Sequence, residues 1–519
     1  MAQLKKLAKQ TALYGVSSIA ARLLAFVFLT PYLTNKFQSL SGMRDMGMQT
    51  ELYAWAAFLI IPFTYRLETA FFRFGSDKKI LARAFRTASV SIIASTVVLV
   101  AVLLCFSQQI ANLMEYKDYP HFITWIVLII GLDALSAIPF ALLRLQGRAL
   151  RFAGIKILHM LMYLGLLVFM MELGPYMRDN QLLFANYWYF DIGIGHVFVA
   201  NLIANAIMLM MLLPSYITFF AKWRQPAKET LDEDNISETA TEPFFDKALW
   251  RSMVIYSLPL ILASFAGMIN ELLDRTLLKF LLPGSLDERL VQVGIYGACY
   301  KISIFLQLFT QAFNYAAEPF FFKNAQSEGS KSLYADISLI FTLICCVGFL
   351  GLMLFMDILQ YFVAAPYREG IVIVPILLIA NLFLGLYYNV AAWYKLADKT
   401  RFGAYISIIG AIVTVLGNLL LIPYMGYIGA AWATLACYVT MVIVCYLWGQ
   451  KHYPIPYPVF KILTYIAAVL IVYGLYCMAY PLVQPFTIAS FSLSFLFLVL
   501  YIGTIWKIEG NYLKQIIKR

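Results

Sequence analysis

Charge is what this sequence has least of. Only 13% of its 519 residues are Asp, Glu, Lys or Arg and 62% are apolar, whereas soluble domains are roughly a quarter charged and about half apolar. That balance excludes a soluble globular chain and predicts a polytopic membrane protein. Acids are scarcer than bases, 28 against 39. The surplus bases lie in short loops beside apolar runs, where the retention of Lys and Arg on the cytoplasmic side accounts for them. No basic patch stands apart from a membrane flank, so no nucleic-acid partner is expected.

Histidine is nearly absent: His121, His159, His196 and His452 have no paired spacing, which argues against a metal site. The seven cysteines all fall inside apolar runs and none has ligand spacing, so they read as small buried hydrophobes without a disulfide framework. The sequence has no Walker-type phosphate loop, no nucleophile elbow and no large outward domain; the longest outer stretch is 172–192. A transporter is therefore expected rather than an ATPase or an enzyme, with no resident cofactor.

What is present is a succession of about fourteen apolar runs long enough to cross a bilayer. The first six cover 11–33, 50–72, 86–106, 121–143, 152–172 and 194–220, and eight more run from 251–281 through 485–506. The acid-rich segment 221–249 between them reads as a solvated cytoplasmic linker. The expected organisation is an N-terminal lobe over 1–220, that linker, a C-terminal lobe over 250–450, and two extra helices with a cytoplasmic tail over 451–519. Residues 1–9 are basic and precede an apolar run, but the run is too long for a signal peptide and carries Arg22, so it reads as a retained first helix.

Orientation follows from alternate loops. Arg73, Lys78, Lys79, Arg83 and Arg86, then Arg144, Arg148 and Arg151, then Lys395, Lys399 and Arg401, fall on one side together with Lys514, Lys518 and Arg519. Both termini should therefore be cytoplasmic. The halves also repeat: Glu68 and Arg73 close span two with the spacing at which Glu318 and Lys323 close span eight. Six spans separate the copies, so the repeats are parallel, an arrangement that places a transport site centrally between the halves.

Charges inside spans are the candidate site, because burial in lipid is costly and such residues usually face a wet cavity. Arg22 is either a cavity ligand for an anionic group or a strut paired with an acid. Arg66 and Arg73, seven apart, would share a helical face at a cytoplasmic mouth. On span seven, Glu271 and Arg275 are either mutually neutralising or, with Asn270 and Asp274, part of a wet patch. Lys301 on span eight is a natural partner for Asp274, Glu271 or a phosphate, and Glu318 lies near that span's far end. Asp133, central in span four, is either a protonatable or cation-binding carboxylate or the partner of Arg22. His159 reads as a hydrogen-bonded interhelical residue.

The stretch Asp274-Arg275-Thr-Leu-Leu-Lys-Phe-Leu-Leu-Pro283, then Gly294-Ile-Tyr-Gly-Ala-Cys-Tyr-Lys301, then Gln311 through Lys323, resembles the second-half signature of Wzx-type polysaccharide flippases. These form part of the multidrug/oligosaccharidyl-lipid/polysaccharide (MOP) exporter superfamily, and Thr11-Ala-Leu-Tyr-Gly-Val-Ser-Ser18 is similar to that family's first helix. The resemblance implies an all-α, MATE-like polytopic fold of two six-helix lobes plus two C-terminal helices in a bacterial inner membrane. It further implies a flippase that carries an undecaprenyl-diphosphate-linked oligosaccharide to the periplasmic leaflet by alternating access, for lipopolysaccharide O-antigen or capsule. On that reading Arg22, Arg66, Arg275 and Lys301 are cavity cations, and Asp133, Glu271, Asp274 and Glu318 are coupling or cavity acids. Coupling would be to protons, sodium or the membrane potential, and the partners a glycan polymerase and glycosyltransferases. The charge-free spans thirteen and fourteen would cradle a prenyl tail or pack a lobe against lipid. Alternatives are a lipid II flippase or a cation-coupled multidrug antiporter. A membrane glycosyltransferase would be expected to show an outward loop with catalytic acids, and none is visible.

Overall fold

In hydrocarbon every backbone N–H and C=O must be satisfied within the chain, which leaves helices or closed barrels as spanning structures. The computed structural model describes residues 23–77, 79–221, 243–323, 329–397, 399–482 and 485–518, and all regular structure among them is helical. In chain order the main helices are α1 (Leu40–Thr64), α2 (Leu67–Phe74), α3 (Leu81–Cys105), α4 (Pro120–Leu145), α5 (Ala149–Val168), α6 (Gly195–Ala221) and α7 (Lys247–Leu281). They continue as α8 (Leu286–Lys323), α9 (Ser330–Leu354), α10 (Val374–Val390), α11 (Arg401–Met425), α12 (Tyr427–His452), α13 (Val459–Ala479) and α14 (Ile488–Lys518).

Twelve helices among the described residues, α3 to α14 with short extensions, are long and apolar enough to cross a membrane. The second expected span is carried by α1, whose first half is more polar because it holds Arg44, Asp45, Gln49 and Glu51. Most of the first expected span, including Arg22, lies outside the described residues, as does most of the expected linker.

The chain divides into two compact units, one formed by described residues 26–50 and 269–518, the other by 23–25 and 51–268. Helices α1 and α7 each contribute to both. In the second unit α4 is the central helix, packed against α2, α3, α5 and α6. Its core includes Phe140, Leu143, Phe152, Ile155, Met208 and Leu212. In the first unit α10 and α12 are central; α8 and α9 pack on α10, α11 on α12, and α13 and α14 on α9. Large apolar side chains stay exposed, such as Val97 and Val98 on α3 and Phe495 on α14. Each would cost about 25 cal/mol per Å² in water, so lipid is the solvent this surface fits.

Small residues set the closest approach within the first unit. A Cβ on Gly47 would lie 1.9 Å from the carbonyl oxygen of Leu290, and one on Gly294 would lie 2.5 Å from that of Met43. Glycines here let the start of α1 and the start of α8 meet backbone to backbone.

One expected helix is broken. Residues 50–72 were expected as a single span, but the chain kinks at Tyr65 and Arg66, both with positive φ, 34° and 57°. Pro62 lies one turn upstream and has no N–H to continue the ladder. Arg66 therefore caps α2 rather than standing on a continuous helix with Arg73, and the shared face expected of that pair is lost. The matching Glu318 segment, in contrast, continues α8 without a break to Lys323.

Candidate functional site

Helices α7 and α8, of 35 and 38 residues, carry the densest group of buried charge in the first unit. At 1.5 Å per residue each is roughly 50 Å or longer, more than the bilayer core of about 30 Å. The charged segment 270–275 lies near the end of α7, and Lys301 lies in the first half of α8.

The two acids are held by neutral donors. Asp274, 2% exposed, accepts a hydrogen bond from the hydroxyl of Tyr296 on α8 and one of 2.7 Å from the backbone N–H of Arg275. Glu271 accepts from the side-chain amide of Gln307 at 3.0 Å. Asn270 faces the other way, donating to the Ser407 carbonyl at 3.2 Å and accepting from Thr414 at 3.4 Å on α11. It therefore ties α7 to α11 rather than adding to the charged patch.

Neither cation forms an ion pair within 4.0 Å with those acids, although Asp274 and Glu271 both act on Arg275 through space. No Glu271–Arg275 ion pair within 4.0 Å forms, although the four-residue spacing allowed one; Glu271 is turned to Gln307 and Asp274 to Tyr296. The Arg275 guanidinium lies over the Tyr300 ring, 4.3 Å from its centroid, an arrangement that holds a cation without cancelling its charge. Lys301, one residue further along α8, has no hydrogen bond or ion pair among the described residues, and Arg275 is the charge nearest it. The expected pairing of Lys301 with Asp274 or Glu271 does not occur. Tyr296, Tyr300 and Gln307 were not singled out from sequence, though both tyrosines lie inside the glycine-spaced motif that ends at Lys301.

Arg66 is 41% exposed at its side chain and pairs with Glu68 at 3.2 Å. Its carbonyl accepts from Ser257 of α7 at 3.4 Å. Both partners act at the kink, so the contacts Arg66 makes serve the start of α2. Arg73 lies over the ring of Tyr256, 4.5 Å from its centroid. Glu318 is on α8, with its side chain outside the described residues.

In the second unit Asp133 is exposed although it sits midway along α4, a helix otherwise largely buried within its fold. Lys156 of α5 is its opposing charge, and the Lys156 ammonium also stands 4.4 Å from the Phe140 ring centroid. Around them Asn201 of α6 donates to the Tyr53 hydroxyl at 2.7 Å, and His159 faces Asn205 while its Nε2 is buried without a hydrogen-bond partner. A second acid, Glu51, is fully buried and accepts from Trp55 at 3.2 Å and from the Tyr116 hydroxyl. Sequence reasoning passed over Glu51 because it falls at the polar margin of its apolar run.

The described residues contain no group of three or more His, Cys, Asp or Glu that could hold a metal ion. Five cysteines are buried, while Cys105 and Cys477 are exposed, unlike the buried state expected for all seven. Spans thirteen and fourteen are not free of charge at one end: Lys461 of α13 pairs at 2.9 Å with Glu509 of α14, whose side chain is 3% exposed.

No protein-family model and no curated protein sequence matches the chain. Solved structures do. The lipid II flippase MurJ in an inward closed conformation matches at a TM-score of 0.66 and 13% identity, covering 95% of this chain and 99% of that one. A multidrug resistance MATE family transporter of the MOP superfamily, in an inward-facing conformation, matches at 0.57 and 12% identity over 83% of this chain and 97% of that one. The Vibrio cholerae MATE transporter VcmN in the bent form matches at 0.50 and 15% identity, over 87% and 98%. Identities this low speak for architecture alone: the chain has the membrane-spanning helical fold shared by MurJ and the MATE transporters of the MOP superfamily.

Proposed function

We propose that this protein is a flippase that moves an undecaprenyl-diphosphate-linked oligosaccharide from the cytoplasmic to the periplasmic leaflet by alternating access, feeding a surface polysaccharide. One observation carries the reading: Arg275 and Lys301 lie side by side, while the neighbouring acids are occupied by Tyr296 and Gln307. Arg275 and Lys301 repel each other, and a dianion between them relieves that repulsion. Arg275 offers a planar fork for paired phosphate oxygens and Lys301 a compact point charge.

Asp133 is proposed as the coupling acid, since it is exposed within a membrane helix and opposed by Lys156. Arg22, Arg66 and Glu318 remain candidates for the substrate path. The inner membrane, with both termini cytoplasmic, is the proposed location, and a glycan polymerase and glycosyltransferases are the proposed partners.

A lipid II flippase is the second reading. It is favoured by the match to MurJ, which takes in 95% of this chain against 83–89% for the MATE structures. Both readings share the diphosphate and the prenyl chain and differ in the sugar.

The test is translocation in proteoliposomes of two fluorescent lipids, an undecaprenyl-diphosphate oligosaccharide without peptide and lipid II, by wild type, Arg275→Ala and Lys301→Ala at matched folded yield. The expected result is movement of the peptide-free glycan and a loss of roughly 10- to 100-fold in each variant, as for a charge-assisted bond of about 1.5–3 kcal/mol. Movement of lipid II alone would move the assignment to the second reading. Export of cationic dyes with neither lipid moved would remove both.

A further inference from the structure

The first unit contains a cavity of about 380 Å³ away from the α7–α8 cluster. It is walled by the end of α9, the start of α10 and the end of α13. Its polar lining is unusual for such a place: one carboxylate, Asp357, and three tyrosines, Tyr473, Tyr476 and Tyr480, with Val372 on the apolar wall and Cys477 beside the tyrosines.

The hydrogen bonds hold the carboxylate in place. Tyr480 donates its hydroxyl to Asp357 at 2.5 Å. Gln360 donates to the Asp357 backbone carbonyl at 3.2 Å, not to its side chain. Tyr476 donates to the Leu354 carbonyl at 3.2 Å, and its ring lies 5.4 Å from that of Tyr480. No described Lys, Arg or His lies within 4.0 Å of Asp357; Arg368 is turned away, donating to the Gln360 and Val363 carbonyls at 3.2 Å. A carboxylate without a cation beside electron-rich ring faces is complementary to a positively charged amine.

We propose that this cavity binds the primary ammonium of an aminophospholipid headgroup in the outer leaflet. Three observations choose a lipid over a soluble amine. The far end of α10 leads to Lys395, Lys399 and Arg401, which the distribution of basic residues assigns to the cytoplasm, so the cavity lies at the opposite interface. Tyrosines are at home at that depth. On α13, Ile471, Leu475 and Met478 are 62%, 53% and 78% exposed, a strip along which the acyl chains would lie while the ammonium reaches Asp357. The phosphate of the same headgroup would stay in the interfacial water.

Cys477 supplies a native reporter, because its thiol is exposed and lines the cavity. The full chain carrying Cys105→Ser would be reconstituted in phosphatidylglycerol nanodiscs, and the rate of thiol alkylation followed as phosphatidylethanolamine replaces part of the lipid. Phosphatidylethanolamine is expected to slow alkylation at least tenfold, and Asp357→Asn, which keeps an oxygen for Tyr480, to abolish that slowing without lowering the melting temperature. Equal rates in the two lipids for the unsubstituted Asp357 would overturn the proposal without recourse to any variant. Protection that persists in folded Asp357→Asn would also overturn it. Full protection by millimolar free ethanolamine would overturn the assignment to lipid.

Discussion

At the scale of single residues, what separates the charges that face a ligand from those that serve the fold is the neighbour each one finds. Asp274 looks like the partner of Arg275 in sequence, yet its carboxylate is taken by Tyr296. Removing that hydroxyl leaves a buried carboxylate short of a donor, at a cost of about 1–3 kcal/mol. Tyr296→Phe should therefore lower the melting temperature in detergent, and Tyr296→Phe with Asp274→Asn should lose less than the two single losses summed, since the second change removes the charge that the first strands. Asp133 makes a different prediction. Its exposure on α4 and its opposition to Lys156 suit a group that exchanges a cation during transport. Asp133→Asn fixes the neutral state, so substrate binding should persist while uptake ceases to respond to an imposed proton or sodium gradient. Gradient dependence equal to wild type would rule this residue out as the coupling acid.

At the scale of elements, the kink between α1 and α2 is the feature with the clearest energetic signature. Arg66 holds a left-handed conformation, φ 57° and ψ 22°, which costs a residue with a Cβ about 1–2 kcal/mol. Both Arg66→Ala and Arg66→Gly lose the ion pair to Glu68, so the difference between them isolates the backbone. The glycine variant should be the more stable by about 1 kcal/mol, read as the order of melting temperatures; an alanine variant equal to or above it would show that the kink is not under this strain. At the junction of α13 and α14, Glu509 accepts from both Lys461 and Tyr465, each at 2.9 Å. That tie anchors the two added helices to each other at one end, where a charge-free pair had been expected.

At the scale of the whole molecule, the amount of exposed apolar surface fits a lipid solvent, and the bias of basic loops makes a prediction about which way the chain faces. A fluorescent protein that matures only in the cytoplasm, fused after Arg519, should therefore light up, while the same fusion in the loop near Gln181 should stay dark. The reverse pattern would invert the orientation argued from Lys395, Lys399 and Arg401. The fold shared with MurJ and the MATE transporters is an architecture; the proposed action, moving a lipid-linked glycan, rests on the side chains of α7 and α8. The same scaffold can present acids or bases there.

The sequence by itself determined the helical membrane fold, because apolar length and backbone satisfaction in lipid leave little choice, and it marked α7 and α8 as the place where charge is buried. Only the tertiary structure decided who pairs with whom. Glu271 and Arg275 sit four apart on one helix, yet rotamers and a facing Gln307 on another helix separate them. The break at Tyr65 and Arg66 carries no glycine, and Pro62 alone does not locate it. Likewise nothing in the run around Asp357 marks a site, since its tyrosines come from α13 and the turn that follows it, more than a hundred residues later. Local pattern reports how far a segment must be from water; partner choice is a matter of distances between segments, and those exist only once the helices have packed.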